Sequence, residues 1–319
     1  MKRIKSMFLP FAAAGAALSL ASCIDSDEKV MLNPDGSGKS LVKIKIAGGG
    51  PLGFGGAGEK PNLDEMAKQT AMGLLGGASG VEAWSDVKYE VNDEGMTEFS
   101  GIAYFPDITK YSVGSMSGGG MTMEGGEKGW TMKKEGDTVT LSFSPMGAAE
   151  EAKPGEPPAD IDAEIKKARA EFQQGKAMMA GILGGFKTAV SLKVGGEITA
   201  AEAFKKTDSN VASMAFTGTD LLNGMEKAMM DDELMRKLAA KGQLGDQSGE
   251  APPPEILEKI YGAKEVKVAF KAGDPLFDYK AEVAKVKANM PADLKKMIED
   301  AKAAAADQGG ALDIPGDIK

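Results

Sequence analysis

Cys23 is the only cysteine in the 319-residue chain, and it lies in the stretch LSLASCID at residues 18–25. The chain has no histidine at all, which excludes catalytic triads and sites in which histidine binds a metal ion or acts as a general base. A lone cysteine in an exported protein is a liability unless it is consumed, because thiols in oxidising compartments are usually paired. The first chemistry to consider is therefore a covalent modification of the Cys23 sulfur.

The residues before Cys23 have the order of a secretory signal. Lys2, Arg3 and Lys5 give a positive start without acidic residues, and residues 8–20 (FLPFAAAGAALSL) are apolar and small. This run is shorter than the ~20 apolar residues that a membrane-spanning helix needs. It therefore predicts a signal peptide over residues 1–22.

The sequence Leu20-Ala21-Ser22-Cys23 resembles the lipobox of bacterial lipoproteins, in which Leu-Ala-(Gly/Ala/Ser) precedes the cysteine. The resemblance covers the first 23 residues, and every position of the motif matches. It implies a diacylglyceryl thioether on Cys23, cleavage between Ser22 and Cys23, and an acyl chain such as palmitate on the new amino terminus. Two or three acyl chains hold a protein on a membrane essentially permanently, at ~0.8 kcal/mol per buried methylene. The alternative is a plain signal peptide whose cleavage site adjoins a cysteine.

The lipobox resemblance also implies where the protein is found. Its expected partner is a cell-envelope membrane, held through the acyl chains on Cys23. In enterobacteria an aspartate directly after the lipidated cysteine retains lipoproteins at the inner membrane. Here that position is Ile24, with Asp25 one residue later, which favours the outer membrane. Residues 23–27 are expected to form a short lipidated tether before the fold.

Charge and composition narrow the function classes. The chain has 38 basic and 47 acidic residues, a net charge of −9, and loss of residues 1–22 with their three cations brings it to −12. This balance argues against binding nucleic acid or an anionic surface. With the Cys23 sulfur alkylated, thiol catalysis and thiolate zinc sites are excluded. We therefore expect a non-enzymatic protein without a cofactor, in a structural or binding role.

Methionine supplies the alternative function, a small-ligand or Cu(I)-binding envelope lipoprotein. Met116, Met121 and Met123 crowd one glycine-rich stretch, and clustered thioethers select soft Cu(I). The competing interpretation is that methionine fills a core poor in aromatic residues, and it is the one we favour. It also covers six methionines on predicted helices, which are Met178, Met179, Met225, Met229, Met230 and Met235.

The remaining pattern predicts an α+β domain over residues 28–290, in which antiparallel β-hairpins form a sheet packed against several helices. The last third is predicted to be mainly helical, closing with a C-terminal helix and a loose tail at 291–319. Asn62 and Glu65 have the capping-box spacing of a helix start. Further predicted features are hairpins around 33–38, 92–95 and 135–137, helices at 62–75 and 160–183, glycine- and methionine-rich loops near 47–58 and 114–127, and a proline-rich acidic linker near 144–159.

The order of Cys23, an acidic segment and a strand–NPDGSG–strand hairpin at 28–46 resembles the opening of LppM-like lipoprotein domains. That resemblance implies an α+β lipoprotein domain and no particular activity.

Three other stretches suggest sites. The sequence GSGKS at 36–40 ends like a P-loop, but the earlier glycine that the motif requires is replaced by Asn33. The carboxylates at 231–233 indicate a helix start or a solvated surface, because adjacent helical side chains diverge. The apolar sequence AMMAGILGGF at 177–186 is too short to span a bilayer. It predicts either a membrane or partner contact or, as favoured, a helix buried against a sheet.

Overall fold

The computed structural model describes residues 24–47, 62–93, 95–113, 129–144, 157–244 and 254–309. Within these ranges the chain forms eleven strands and seven helices, which confirms the α+β class. The strands are β1 (Ile24–Leu32), β2 (Gly38–Ala47), β3 (Ala83–Val91), β4 (Met96–Phe105), β5 (Gly129–Glu135), β6 (Thr138–Ser144), β7 (Lys187–Val194), β8 (Gly196–Glu202), β9 (Lys205–Asp208), β10 (Val211–Thr217) and β11 (Val266–Ala272). The helices are α1 (Leu63–Gly77), α2 (Ile161–Leu183), α3 (Gly218–Met230), α4 (Asp232–Ala240), α5 (Pro254–Tyr261), α6 (Tyr279–Asn289) and α7 (Ala292–Gly309).

The larger sheet has seven strands in the order β3-β4-β2-β1-β7-β10-β9, so β1 is its central strand. The predicted hairpins β1–β2 and β3–β4 pair antiparallel and join side by side through β2 and β4. On its other side β1 pairs parallel with β7, a long-range pairing that the prediction of hairpins alone did not include. The centre of this sheet therefore depends on residues more than 150 positions apart.

The second sheet has four strands in the order β5-β6-β11-β8, all antiparallel. Its inward-facing residues, such as Leu141 and Phe270, belong to the same hydrophobic core as Val30 and Leu192 of the larger sheet. Strands β8 and β9 were not predicted from the sequence. Every residue of β9 is exposed, so it lacks the apolar alternation by which strands are recognised.

Helices α1 and α7 complete this main core. Asn62 caps α1 as expected, because its side chain accepts a hydrogen bond from the Glu65 backbone N–H at 3.3 Å. Gly76 allows α1 to approach the backbone of Ala301 in α7 closely. Met297, Ile298 and Ala301 of α7 are buried in the core. The predicted C-terminal segment at 291–319 thus contains a helix that packs into the main core, and residues 310–319 lie outside the described ranges.

A smaller helical core is formed by α2, α3 and α4. Ile165 and Ala168 on the first half of α2 pack with Met235 and Leu238 of α4. The helices α3 and α4 are separated at Asp231, whose side chain caps α4 by accepting a hydrogen bond from the Leu234 N–H at 2.9 Å. This second core lies apart from the two sheets and fixes the direction of α2.

The β1–β2 turn is a closed structural turn, as expected, and not a phosphate loop. Gly36 adopts a φ of 91°, a conformation that glycine tolerates best, and the backbone N–H of Ser37 donates to Asp35 at 3.0 Å. The Lys39 ammonium lies 2.6 Å from a Glu282 carboxylate oxygen and 4.4 Å from the centre of the Phe277 ring. The lysine that a P-loop would direct at phosphate is thus engaged with α6 and the loop before it.

Candidate functional site

The predicted lipidation and cleavage residues, Ser22 and Cys23, lie outside the described residues, immediately before β1. The structure corrects the segment that follows them. Residues 24–27, predicted to belong to a tether, are the first residues of β1 and pair with both β2 and β7. The first described residue, Ile24, therefore already belongs to a strand, one residue after the predicted anchor.

Two polar clusters explain why such an acidic segment forms a central strand. Ser26 is buried and its hydroxyl donates to Thr188 of β7 at 2.9 Å. Glu28 is only 4% exposed, and the Ser40 and Tyr111 hydroxyls donate to its Oε1 atom at 2.8 and 2.6 Å. Hydrogen bonds of this kind compensate for the desolvation of polar groups in a core.

The Glu28 cluster was not predicted, since Tyr111 lies 83 residues away in sequence and no local motif joins the two. Burial, followed by the nearby Glu28 carboxylate, raises the pKa of Tyr111 well above its ordinary value. Tyr111 and Ser40 are as buried as Glu28 itself. The cluster is closed to solvent, so it stabilises β1 within the sheet and has no exposed face for a substrate.

Three neighbouring strands meet at the end of the sheet where β1 starts. Ile24 lies opposite Ile46 of β2, and Asp25 lies opposite both Lys45 of β2 and Lys187 of β7. The Lys187 ammonium is 3.7 Å from the Asp25 carboxylate. Because β1 is the fourth of seven strands, the predicted anchor adjoins the middle of this end of the sheet.

The C-terminal end of α2 lies beside the same end of the sheet, because α2 leads through a short turn into β7 at Lys187. The favoured interpretation of residues 177–186 as a helix buried against a sheet is wrong. Ala177, Met178, Ala180 and Gly181 are exposed, and of the residues whose side chains are described here only Leu183 is buried. Since α2 packs on α3 and α4, no other element in the described part of the chain covers its outer side at these exposed residues.

Aromatic side chains follow this helix end. The rings of Phe186 and Phe216 lie 5.7 Å apart, and Phe216 meets Tyr261 edge-to-face at 5.5 Å. All three are partly buried, and burial raises the pKa of Tyr261 to about 12. The cluster joins the start of β7, the end of β10 and α5 into one rigid unit.

The other candidate sites are dispersed. Asp231 binds Lys259 at 2.7 Å and Asp232 binds Arg169 at 2.6 Å, so the carboxylates at 231–233 diverge at a helix start, as predicted. The Leu234 N–H and then Lys259 hold the pKa of Asp231 below its usual value. Among the described residues no group of three or more acidic, histidine or cysteine side chains could hold a metal ion.

The methionines named from the sequence differ in exposure, and Met179, Met225 and Met229 are partly buried. Met116, Met121 and Met123 lie outside the described residues. Met235 is 1% exposed and fills the helical core as expected. Met178 and Met230 are 54% and 55% exposed, so the core-filling interpretation is wrong for these two.

None of the helices over the described residues has the length and hydropathy of a membrane-spanning segment. No protein-family model matches the sequence, and no curated protein matches it.

Several solved structures show weak likeness to this chain. The NMR structure of the folded domain of Mycobacterium tuberculosis LppM has 7% sequence identity and a TM-score of 0.29, over 79% of this chain and 91% of that chain. A two-domain M1 zinc metallopeptidase mutant bound to L-tryptophan and the M1 zinc metallopeptidase of Deinococcus radiodurans have 12% identity and TM-scores of 0.21 and 0.20. Each of these two matches covers 61% of this chain and 39% of the peptidase. The TM-scores are too low to carry an argument about fold or function.

Proposed function

We propose that this chain is a cell-envelope lipoprotein, held on a membrane by acyl chains on Cys23, whose α+β domain has a non-enzymatic structural or binding role. The observation that carries the proposal is the junction between motif and fold. The last lipobox residue, Cys23, directly precedes Ile24, the first residue of the central strand β1.

The junction supports cleavage at this site for a physical reason. Cleavage before Cys23 leaves every residue of β1 on the mature chain. Cleavage a few residues later would remove Ser26 or Glu28, which hold β1 to Thr188, Ser40 and Tyr111 through buried hydrogen bonds. The lipobox cleavage point is thus the last one that leaves the central strand whole.

The junction also determines how the domain is held. Since β1 begins one residue after Cys23, the acyl chains attach to the sheet without an intervening flexible segment. Two or more acyl chains give essentially permanent membrane attachment. The domain would therefore sit directly on the membrane surface, with its middle strand next to the bilayer.

A binding or structural role fits the distribution of polar groups better than catalysis does. Among the described residues the one carboxylate of the buried class, Glu28, is enclosed in the core and accepts hydrogen bonds from two hydroxyl groups. Carboxylates nearer the surface, such as Glu82, Glu98 and Glu255, form ion pairs with lysines, and these pairs hold the pKa of each carboxylate below its usual value. Such carboxylates are poorly suited to act as general bases near neutral pH.

Incorporation of labelled palmitate tests the anchor. The wild-type chain should incorporate the label and partition into a detergent phase, whereas Cys23→Ala should do neither. Ser22→Ala is the matched control, because alanine is also accepted before the lipobox cysteine and this variant should behave as wild type. If Cys23→Ala were processed to the wild-type size and still partitioned into detergent, the proposal would be wrong.

The membrane that receives the protein is a finer part of the proposal. Ile24, rather than an aspartate, follows the anchor, and this favours the outer membrane. Density-gradient fractionation should place the protein with outer-membrane markers. Co-migration with inner-membrane markers would contradict this assignment without affecting the lipidation itself.

A further inference from the structure

We propose that the uncharged C-terminal end of α2, residues 177–185, contacts the lipid bilayer beside the acyl chains of Cys23, and so sets the orientation of the domain on the membrane. This inference rests on the proposed lipidation. It assigns a bilayer-facing surface to a part of the fold that lies outside the lipobox.

The first observation is exposed apolar surface. Residues 177–186 contain no charged or hydrogen-bonding side chain. Met178 is 54% exposed, and Ala177, Ala180, Gly181 and Gly184 are exposed around it. Met178 and these small residues together give an apolar surface without charge, and contiguous apolar surface marks a contact with a membrane or a partner.

The second observation is a change of polarity along the outer side of the same helix. Upstream, the exposed residues of α2 include Asp162, Lys166 and Gln173. From Ala177 onward none is charged. The apolar part of the helix from 177 to 183 is about 10 Å long at 1.5 Å per residue, which is too short to cross the bilayer and suits a contact at its surface. The gradient points the end of α2 towards the bilayer and its beginning towards water.

The third observation identifies the occupant. The helix end leads into β7, and Lys187, the first residue of β7, lies opposite Asp25 in the parallel register. Neighbouring strands are ~4.8 Å apart, and Cys23 is two residues before Asp25. The apolar helix end and the acyl attachment point therefore lie next to two neighbouring strands, β7 and β1, at the same end of the sheet. A bilayer that accepts the acyl chains is already next to this surface, whereas a protein partner would have to compete with it.

The helix end is also held rigidly. The Lys176 ammonium binds Glu226 of α3 at 2.6 Å, and Gly218 packs so closely on the Leu183 carbonyl that a Cβ atom would overlap it. The inner side of α2 is thus fixed to α3. The apolar surface is presented in one conformation, so little conformational entropy is lost when it meets the membrane.

Two exposed methionines provide a matched experiment. Met230 is 55% exposed, but it lies at the far end of α3, where Arg169 of α2 donates to the neighbouring Met229 carbonyl at 2.6 Å. Arg169 is nine residues before Met178 in α2, so Met230 lies about 14 Å from Met178 along the axis of this helix. Because the only native cysteine is the lipidated one, Met178→Cys and Met230→Cys each create a single reactive thiol in the full lipidated chain.

Each thiol is labelled with the environment-sensitive fluorophore NBD, and the chain is reconstituted into phosphatidylcholine vesicles with or without brominated acyl chains. The label at position 178 should shift to shorter wavelength and lose fluorescence on brominated lipid. The label at position 230 should do neither. Ala180→Cys gives a second exposed position on the same surface and should behave like Met178→Cys.

Three results would overturn the inference, and they are distinguishable. Flotation of the protein with the vesicles without quenching at 178 and 180 would exclude the bilayer contact and leave the lipid anchor intact. A blue shift in native envelopes, absent from pure lipid vesicles, would assign the surface to a protein partner. Failure of the wild-type chain to float would refute the proposed lipidation as well.

Discussion

Replacement of Tyr111 by phenylalanine should destabilise the fold by an amount that the geometry determines. The Tyr111 hydroxyl donates to Glu28 at 2.6 Å, and the two residues are 3% and 4% exposed. The ring stacks on Phe105 with a centroid distance of 4.3 Å, and phenylalanine preserves this packing. The substitution therefore removes one short hydrogen bond to a buried carboxylate and little else.

The expected cost is about 1.5–3 kcal/mol of unfolding free energy, the range for hydrogen bonds to charged groups. A second tyrosine provides the control, because the Tyr279 hydroxyl also donates to a glutamate, Glu82, at 2.8 Å but at the surface. Glu82 also pairs with Lys287. Surface pairs contribute ~0–1 kcal/mol, so Tyr279→Phe should be nearly neutral.

Urea unfolding of the two variants and the wild type in the same detergent, followed by circular dichroism, measures both values. The m-values should be equal, so that the difference lies in stability. If Tyr111→Phe lost no more stability than Tyr279→Phe, the buried cluster would not hold β1 in the sheet, and this explanation of the acidic strand would be refuted.

Three further predictions concern other parts of the molecule. Gly218→Ala should lower the unfolding free energy by about 1–3 kcal/mol, because the new Cβ atom overlaps the Leu183 carbonyl. Gly181→Ala should be neutral or stabilising, because a Cβ atom there meets nothing within 4 Å. Thermal unfolding compares the two variants. Burial raises the pKa of Tyr261 to about 12, whereas an unfolded tyrosine titrates near ~10. The unfolded chain therefore loses this proton first, and the unfolding free energy should fall as pH rises from 10 towards 12. Urea titrations of a Tyr261→Phe variant should show a shallower fall, and an unchanged slope would contradict the assignment. The purified protein should not capture stoichiometric Cu(I) from a chromogenic chelator; capture that is lost when the methionines within 121–123 become leucine would instead support the metal-binding alternative.

The sequence predicted elements whose signals are local. The α1 cap depends on Asn62 and Glu65, three residues apart, and the β1–β2 hairpin depends on the turn residues at 33–38. Both are confirmed. The carboxylates at 231–233 were predicted to mark a helix start or a solvated surface, and Asp231 is the cap of α4.

Elements that depend on distant partners could not be predicted in this way. Residues 24–27 are polar enough to suggest a tether. Hydrogen bonds with Thr188 and Tyr111, which lie far away in sequence, help to hold Ser26 and Glu28 in the core. The exposure of Ala177, Met178 and Ala180 has the converse cause. An apolar helix segment normally predicts burial, but α2 packs on α3 and α4 and leaves these residues on its outer side.

The state of the Cys23 sulfur in the mature protein tests the central claim most directly. The chain has one cysteine, so a thiol titration of the denatured, purified protein counts this sulfur alone. We expect no free thiol, together with a mass that fits cleavage before Cys23 and the addition of a diacylglyceryl group and an amide-linked acyl chain. One free thiol per chain, with an unmodified amino terminus, would contradict the account.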